Sequence, residues 1–315
     1  MLKEYAVDPM AIGQSWSQFR FLINEFGFDR GRLISRLPER WEKKVIQAAK
    51  ESGVGGRDLL RIIERLNDTK TSRKILGNSF DYDGGKDWLE NAILLDKSRG
   101  LKAIVSNDKV AELEKVITPN DIEDDHELWS SSHDWRVPRT GADIANAIAP
   151  LLLAAKEIRI IDAFFDFRPG RGHFVDTLRE ILALLARGKA HCHNLQIHYR
   201  TRDDRPPIDL VERSITDWLD GVIPPGFSIS LFEWQPVVGG QPFHDRHLLC
   251  DCGGLSIGHG FDAPGAHEKA NISVHSFEIV RELTAEFEIR TSPHNLIQPV
   301  LRVFGDGNVQ RINAA

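Results

Sequence analysis

No run of about 18 apolar residues occurs anywhere in the chain, which excludes a membrane-spanning helix of ordinary length. No charged-then-apolar leader opens it either, since Met1-Leu2-Lys3-Glu4-Tyr5 is already mixed. Cysteine is scarce: the three present, an odd number in 315 residues, argue against a secreted disulfide scaffold and suit a reducing compartment. These absences lead us to expect a cytoplasmic protein. Repeats of fixed period and low-complexity tracts are missing too, so neither a stacked-repeat architecture nor a biased tail is expected. Gly53-Val54-Gly55-Gly56 lacks both the preceding strand and the Lys-Ser/Thr ending of a phosphate-cradling loop, and reads as an ordinary connection.

What is present is the composition of a soluble globular protein, 41% hydrophobic and 27% charged, long enough for one large or two ordinary domains with a real core. The net charge of -6 speaks against general affinity for nucleic acid, yet it hides an asymmetry. Residues 1–80 carry 15 Lys+Arg against 10 Asp+Glu, whereas residues 81–130 carry 6 against 13. The basic region centres on Arg30, Arg32, Arg36, Arg40, Lys43 and Lys44. It reads either as a stripe along helices for an anionic partner or as a solvated face tied to Glu39 and Glu42.

Residues 10–50 read as helices: Trp16, Phe19, Leu22, Ile23 and Phe26 recur near helical spacing, and Pro38 can open a further helix through Trp41, Val45 and Ile46. A second helical stretch carries Leu59, Ile62, Ile63 and Leu66, and a strand is expected at 101–105. From Thr118 to Arg139 the periodicity is lost among acids, serines and two prolines. The reading is therefore a mainly helical N-terminal domain over 1–125, a linker over 126–140 and a second domain over 141–315. In that second domain a helix near 141–156, a strand at 157–166, a helix at 174–187, a strand at 194–200, a helix at 210–219 and a strand at 228–233 predict an α/β layer with a substantially parallel sheet. The first of these strands ends in Asp162 and Asp166, which either line a ligand crevice at the strand's C-terminal end or cap the helix near Gly172.

The densest polar chemistry lies in the twenty residues from Phe243 to Asp262, which hold three histidines, an arginine, three aspartates and four glycines. Apolar pairs such as Leu248-Leu249 among them predict two short strands joined by a Cys-Gly-Gly turn, and period-2 alternation then puts His244 and Arg246 on one face. An arginine offers a planar fork for phosphate or carboxylate oxygens, and a histidine can be nucleophile, acid or base near neutral pH. Each residue has a plainer role open to it: His244 held by Asp251, Asp262 paired with Arg246, and Gly253, Gly254, Gly258 and Gly260 serving the backbone. His191-Cys192-His193 and Cys250-Asp251-Cys252 carry soft ligands, but at spacings that chelate a metal poorly. No metal site and no cofactor is expected.

Counted from His244, Arg246 stands two residues on, Asp251 seven on and Gly258 fourteen on. This spacing resembles the phospholipase D superfamily signature HxKxxxxD with its following Gly-Ser-x-Asn-like element, Arg246 standing for Lys and Gly258-His259 for Gly-Ser. More closely, Ile160-Ile161-Asp162-Ala163-Phe164-Phe165 with His244-Asp245-Arg246 and Ile257-Gly258-His259-Gly260-Phe261-Asp262 resembles the phospholipase D-like C-terminal domain of microtubule-interacting-and-transport (MIT) proteins and its bacterial relatives, over roughly residues 140–290. The resemblance implies a phospholipase D-like α/β sandwich. It also implies a metal-independent phosphodiesterase in which one histidine attacks phosphorus and a second protonates the leaving oxygen.

On this reading His244, Arg246, Asp251 and His259 are the catalytic candidates, with Asp162, Asp166, Gly258, Gly260 and Asp262 binding ligand. The run His198-Tyr199-Arg200-Thr201-Arg202 begins HxR but has its acid at the wrong spacing, so the chain holds no second motif copy. A homodimer bringing two copies of His244 together would supply the missing histidine. The expected activity is a nuclease, on the strength of the basic N-terminal region, with a role in bacterial defence or DNA processing. The alternative from another class is a non-catalytic adaptor for an acidic lipid head group, another phosphate group or a partner protein.

Overall fold

Strand formation begins at once with Lys3–Val7 (β1), whose alternate residues Tyr5 and Val7 face one apolar cluster while Ala6 faces another. The computed structural model describes the chain except residues 1, 72–73, 78–79, 111, 167, 169–172, 189–190 and 314–315, and except the side chains of 69–71. The chain divides into two compact units, Met1–His133 and Asp134–Ala315.

In the first unit β1 is followed by helices Pro9–Gly13 (α1) and Trp16–Asn24 (α2), strand Arg32–Ser35 (β2), helices Trp41–Glu51 (α3) and Gly56–Thr71 (α4), strand Ile75–Leu76 (β3), helix Trp88–Arg99 (α5) and strands Ala103–Val105 (β4) and Val116–Ile117 (β5). The five strands form a parallel sheet in the order β3-β2-β1-β4-β5. Helices α1 to α4 cover the face of Tyr5 and Val7, and α5 covers the face of Ala6, giving three layers. The strand expected at 101–105 is present, but a mainly helical domain is not what forms. The strands escape a periodicity reading because they are two to five residues long and buried on both sides, so none alternates apolar with polar.

Of the two readings of the basic region, a continuous stripe does not form, and one of its arginines is tied to Glu42. Arg32 is buried in β2, paired with Glu25 at 3.2 Å, and Arg36 pairs with Glu42. Arg30, Arg40, Lys43 and Lys44 remain exposed.

The boundary, between His133 and Asp134, falls inside the 126–140 stretch expected as a linker, but residues on both sides of it belong to the two units. Trp129 is fully buried in the first unit, edge-on to Phe26 and tilted against Tyr5, with Arg32 over its ring and donating to its carbonyl. Asp134–Arg139 is a strand (β6) of the second unit, at the edge of a nine-stranded sheet. Pro138 hid it from the sequence reading, yet an edge strand tolerates a residue that cannot donate to the ladder.

The second unit continues with helix Gly141–Ala154 (α6), strand Ile158–Asp162 (β7), helix Phe174–Arg187 (α7), strand Asn194–Arg200 (β8), helix Ile208–Trp218 (α8), strands Ser228–Pro236 (β9), Arg246–Cys250 (β10), Gly253–Ile257 (β11) and Gly265–Val274 (β12), helix Phe277–Glu286 (α9), and strands His294–Phe304 (β13) and Val309–Ile312 (β14). The order is β14-β13-β9-β8-β7-β10-β11-β12-β6. Among the described residues β7, β8 and β9 run parallel, joined through α7 and α8, and the other pairings of this sheet are antiparallel. The chain is thus mixed α/β throughout. Among the described residues no helix is long and apolar enough to cross a membrane.

Buried imidazoles stiffen the second unit. His198 is stacked on Phe232 at 4.6 Å and accepts from Trp234 Nε1, while His247 and His275 meet nitrogen to nitrogen at 3.1 Å. Burial pushes His198 well below its ordinary pKa and His247 down to about 4.

Two tests follow from these contacts. Trp129→Ala, read by chemical denaturation of the full chain, is expected to lower the first unit's stability by about 3–5 kcal/mol through the cavity left behind; a change under about 1 kcal/mol would show that Trp129 carries no packing. A histidine whose folded pKa lies below its unfolded value contributes stability that is intact above about 6.5 and is lost as pH falls. For His247 the window is pH 6.5 to 4, and His247→Leu should flatten the fall in melting temperature there by the equivalent of about 3 kcal/mol. An unchanged slope would remove His247 from the acid response.

Candidate functional site

β7 ends in Asp162, fully buried and placed in register with Arg246, the first residue of β10. The Asp162 carboxylate does three things. Its Oδ1 accepts from the Phe164 N–H at 2.9 Å, turning the chain as it leaves the strand. Its Oδ2 accepts from the Phe261 N–H at 3.1 Å, tying β7 to the turn after β11. It also lies 3.7 Å from Arg246 Nε. Burial, only partly offset by these donors, pushes its pKa up to about 6.

Arg246 is fixed on its other side by donating from Nη1 to the Gly258 carbonyl at 3.0 Å, and its guanidinium sits 4.5 Å from the centroid of the Phe164 ring. The same ring has Arg200, the last residue of β8, at 5.7 Å and the His244 imidazole stacked at 6.3 Å. Phe164 is 38% exposed although large and apolar. Two guanidiniums and an imidazole therefore gather about one exposed ring beyond the C-terminal ends of parallel strands. Arg200 has no carboxylate partner among the described residues. Such an arrangement can take an anion: forks of donors bind its oxygens, and an exposed imidazole stands beside them.

The sequence-predicted residues divide. His244 and Arg246 come together, but not as residues of one strand: β10 begins only at Arg246, and His244 is exposed in the loop before it. Gly258 contributes its carbonyl, and Gly260 takes φ +70°, where a methyl would overlap the Asp162 carboxylate and the Arg246 side chain. Asp162 supports the cluster from beneath. His259 is exposed in the turn after β11 and makes no hydrogen bond, ion pair or ring contact among the described residues.

Asp251 does not belong to the cluster. It sits in the turn at the far end of the β10–β11 hairpin, just past the end of β10, whose length from Arg246 is roughly 14 Å. There its Oδ1 accepts from the N–H groups of Lys156 and Glu157 and so pins the start of β7. The reason is its place in the hairpin: seven residues from His244 is one strand length away, so Asp251 cannot hold that imidazole.

Asp262 does not pair with Arg246 either. Its carboxylate meets Arg139 at 3.2 Å and accepts from the His173 N–H at 2.6 Å, just ahead of α7. Asp262 thus takes the place near α7 that the sequence reading offered Asp162 and Asp166; Gly172 itself lies outside the described residues. Asp166 is buried against Arg168 and Arg202, at 2.8 and 3.2 Å. The HxR run of β8 has the expected central place, and its histidine is part of the core. Arg200 and Arg202 were not singled out, although their position at the end of a predicted central strand was a usable signal.

Cys192, Cys250 and Cys252 are buried thiols outside any disulfide among the described residues, and burial pushes Cys250 well up from its ordinary pKa. No cluster of three His, Cys, Asp or Glu residues among those described is placed to hold a metal ion. In the first unit Asp8 follows β1, between the central strands where the strand order reverses, and caps α1 by accepting from the Met10 N–H. Burial first, and Asp108 in lesser part, raise its pKa.

Comparison with known proteins adds little. No family model matches the chain, and no curated protein does. Among solved structures the chain is similar to TrmBL2, an archaeal chromatin protein whose structure shows a novel mode of DNA binding, at 14% identity with 83% of this chain and 71% of that chain covered. The TM-score of 0.29 is too low for the match to bear on fold or function.

The close approach at Gly260 gives a direct test. Gly260→Ala is expected to cost about 2–4 kcal/mol in denaturant unfolding, from the left-handed backbone and the displaced Asp162 acceptor together. A loss no larger than that of an ordinary surface substitution, about 0.5 kcal/mol, would show that the Asp162–Arg246 support is not rigid.

Proposed function

We propose that the second unit binds the phosphate of a phosphodiester at the cluster of Phe164, His244, Arg200 and Arg246, and that His244 acts on it as the nucleophile of a metal-independent phosphodiesterase of the phospholipase D-like kind. The observation that supports this most is the convergence of Arg246, Arg200 and His244 on the Phe164 ring. Arg246 is held from behind by Asp162 and the Gly258 carbonyl, so little freedom is lost when its remaining N–H groups meet phosphate oxygens.

In this reaction a nitrogen of the neutral imidazole attacks phosphorus. A P–N bond forms as the bond to the leaving oxygen breaks, and that oxygen takes a proton from an acid. Water then cleaves the P–N bond and regenerates the imidazole. The guanidiniums stabilise the charge that gathers on the equatorial oxygens. The acid is His259 of the neighbouring turn or a second copy of His244 supplied by a homodimer.

One observation favours a second reading, a phosphate-binding adaptor without turnover. Among the described residues His244 has the Phe164 ring as its ring partner and no carboxylate that holds its tautomer in the way a catalytic imidazole is usually held.

The two readings separate in one assay. The purified chain is incubated in EDTA with single- and double-stranded DNA, RNA and a chromogenic phosphodiester. The phosphodiesterase reading expects turnover that falls by about 10³-fold or more in His244→Ala and about 10²-fold in Arg246→Ala. Absence of turnover, with phosphate binding that still depends on Arg246, establishes the adaptor reading and overturns the catalytic one.

A further inference from the structure

A cavity of about 330 Å³ opens beside α8, at the C-terminal ends of β8 and β9. Three aromatic residues line it: Phe165 following β7 and Tyr199 on β8, which pack on each other at 6.2 Å, and Trp218 closing α8. Leu210, 47% exposed, stands among the lining residues with nothing to cover it. The acids around it are already matched. Glu233 accepts twice from Arg205 Nε, at 2.9 and 2.8 Å, and once from the Thr201 hydroxyl, while Asp166 is matched by Arg168 and Arg202. Two polar groups of the lining stay uncommitted among the described residues: the Ser214 hydroxyl and the Arg200 guanidinium, whose contact is the Phe164 ring.

Arg200 is therefore shared. It lines the cavity and also stands at the ring where Arg246 and His244 meet, so the cavity and the phosphate cluster are adjoining parts of one surface on the second unit. A volume of about 330 Å³ falls at the small end of ligand sites, which start at about 300 Å³. It suits one heterocycle with its sugar. An aromatic lining suits a flat ligand better than a flexible acyl chain, because an aromatic face gains most from offset stacking on another ring.

We propose that this cavity takes the base of a nucleotide whose phosphate lies at Arg200, Arg246 and His244. This rests on the phosphate reading of the cluster and narrows it: the ligand is a nucleotide or a nucleic-acid end. Base contacts in the cavity then set selectivity through stacking on the half-buried Trp218 and a hydrogen bond from Ser214.

The test uses the full chain and titration calorimetry with three kinds of probe: inorganic phosphate, ribose 5-phosphate and the four nucleoside 5′-monophosphates. At least one monophosphate is expected to bind tenfold or more tightly than ribose 5-phosphate. Ser214→Leu, and independently Val211→Phe, fill the cavity and should abolish that difference while leaving inorganic phosphate binding unchanged. Circular dichroism melts establish that each variant is folded, and a variant that unfolds is replaced by the other. Arg246→Ala should weaken every phosphate-bearing probe. If all monophosphates bind no better than ribose 5-phosphate, or if both filled variants keep the preference, the base-pocket proposal is overturned while the phosphate cluster stands. If inorganic phosphate and every other probe fail to bind, both readings fall.

Discussion

The second unit depends on one buried carboxylate. Asp162, at the end of β7, accepts from the N–H groups of Phe164 and Phe261 and faces Arg246 across the sheet. Removing a charge from water is costly, and the raised pKa records that cost. What the carboxylate accomplishes is geometric: it aims the Phe164 ring outward, joins the turn after β11 to the strand before it and keeps the Arg246 fork at that ring. Gly260 completes the arrangement, because only a residue without a side chain lets the turn pass so close to Asp162 and Arg246.

Much of this was legible in the sequence, for identifiable reasons. The second unit's parallel core was readable because its helices are amphipathic and its strands are runs of five to nine residues with regularly placed apolar positions. The helix Phe174–Arg187 and the strand Asn194–Arg200 fall where the pattern puts them. The hairpin was readable from the apolar pairs Leu248-Leu249 and Leu255-Ser256-Ile257 on either side of the turn, whereas His244 meets Arg246 from a loop and not by the alternation that predicted it. The first unit was misread because β3 and β5 are two residues long and Arg32, a charged residue, starts the buried strand β2.

The site was misread where linear spacing stood in for distance. Asp251 fits a motif by count, yet a hairpin carries a residue seven positions on to the opposite end of the strand. Asp262 lies close to Arg246 along the motif, yet it pairs with Arg139, which is supplied by an edge strand the sequence had suggested was a linker. Arg200 comes from a strand whose histidine drew attention first, and that histidine is core. The contributions that make the site a surface, from Phe164, Arg200 and the cavity beside α8, depend on which strand ends adjoin, and strand order is not written in the local pattern.

The central claim is that Arg246 and Arg200, gathered at Phe164 beside His244, form a phosphate site. A crystal structure of the chain grown with inorganic phosphate tests it most directly. The account predicts phosphate oxygens within hydrogen-bond distance, about 2.7–3.0 Å, of the Arg246 guanidinium, with Arg200 and His244 as further neighbours. A structure in which phosphate leaves Arg246 untouched and settles elsewhere on the second unit would contradict it.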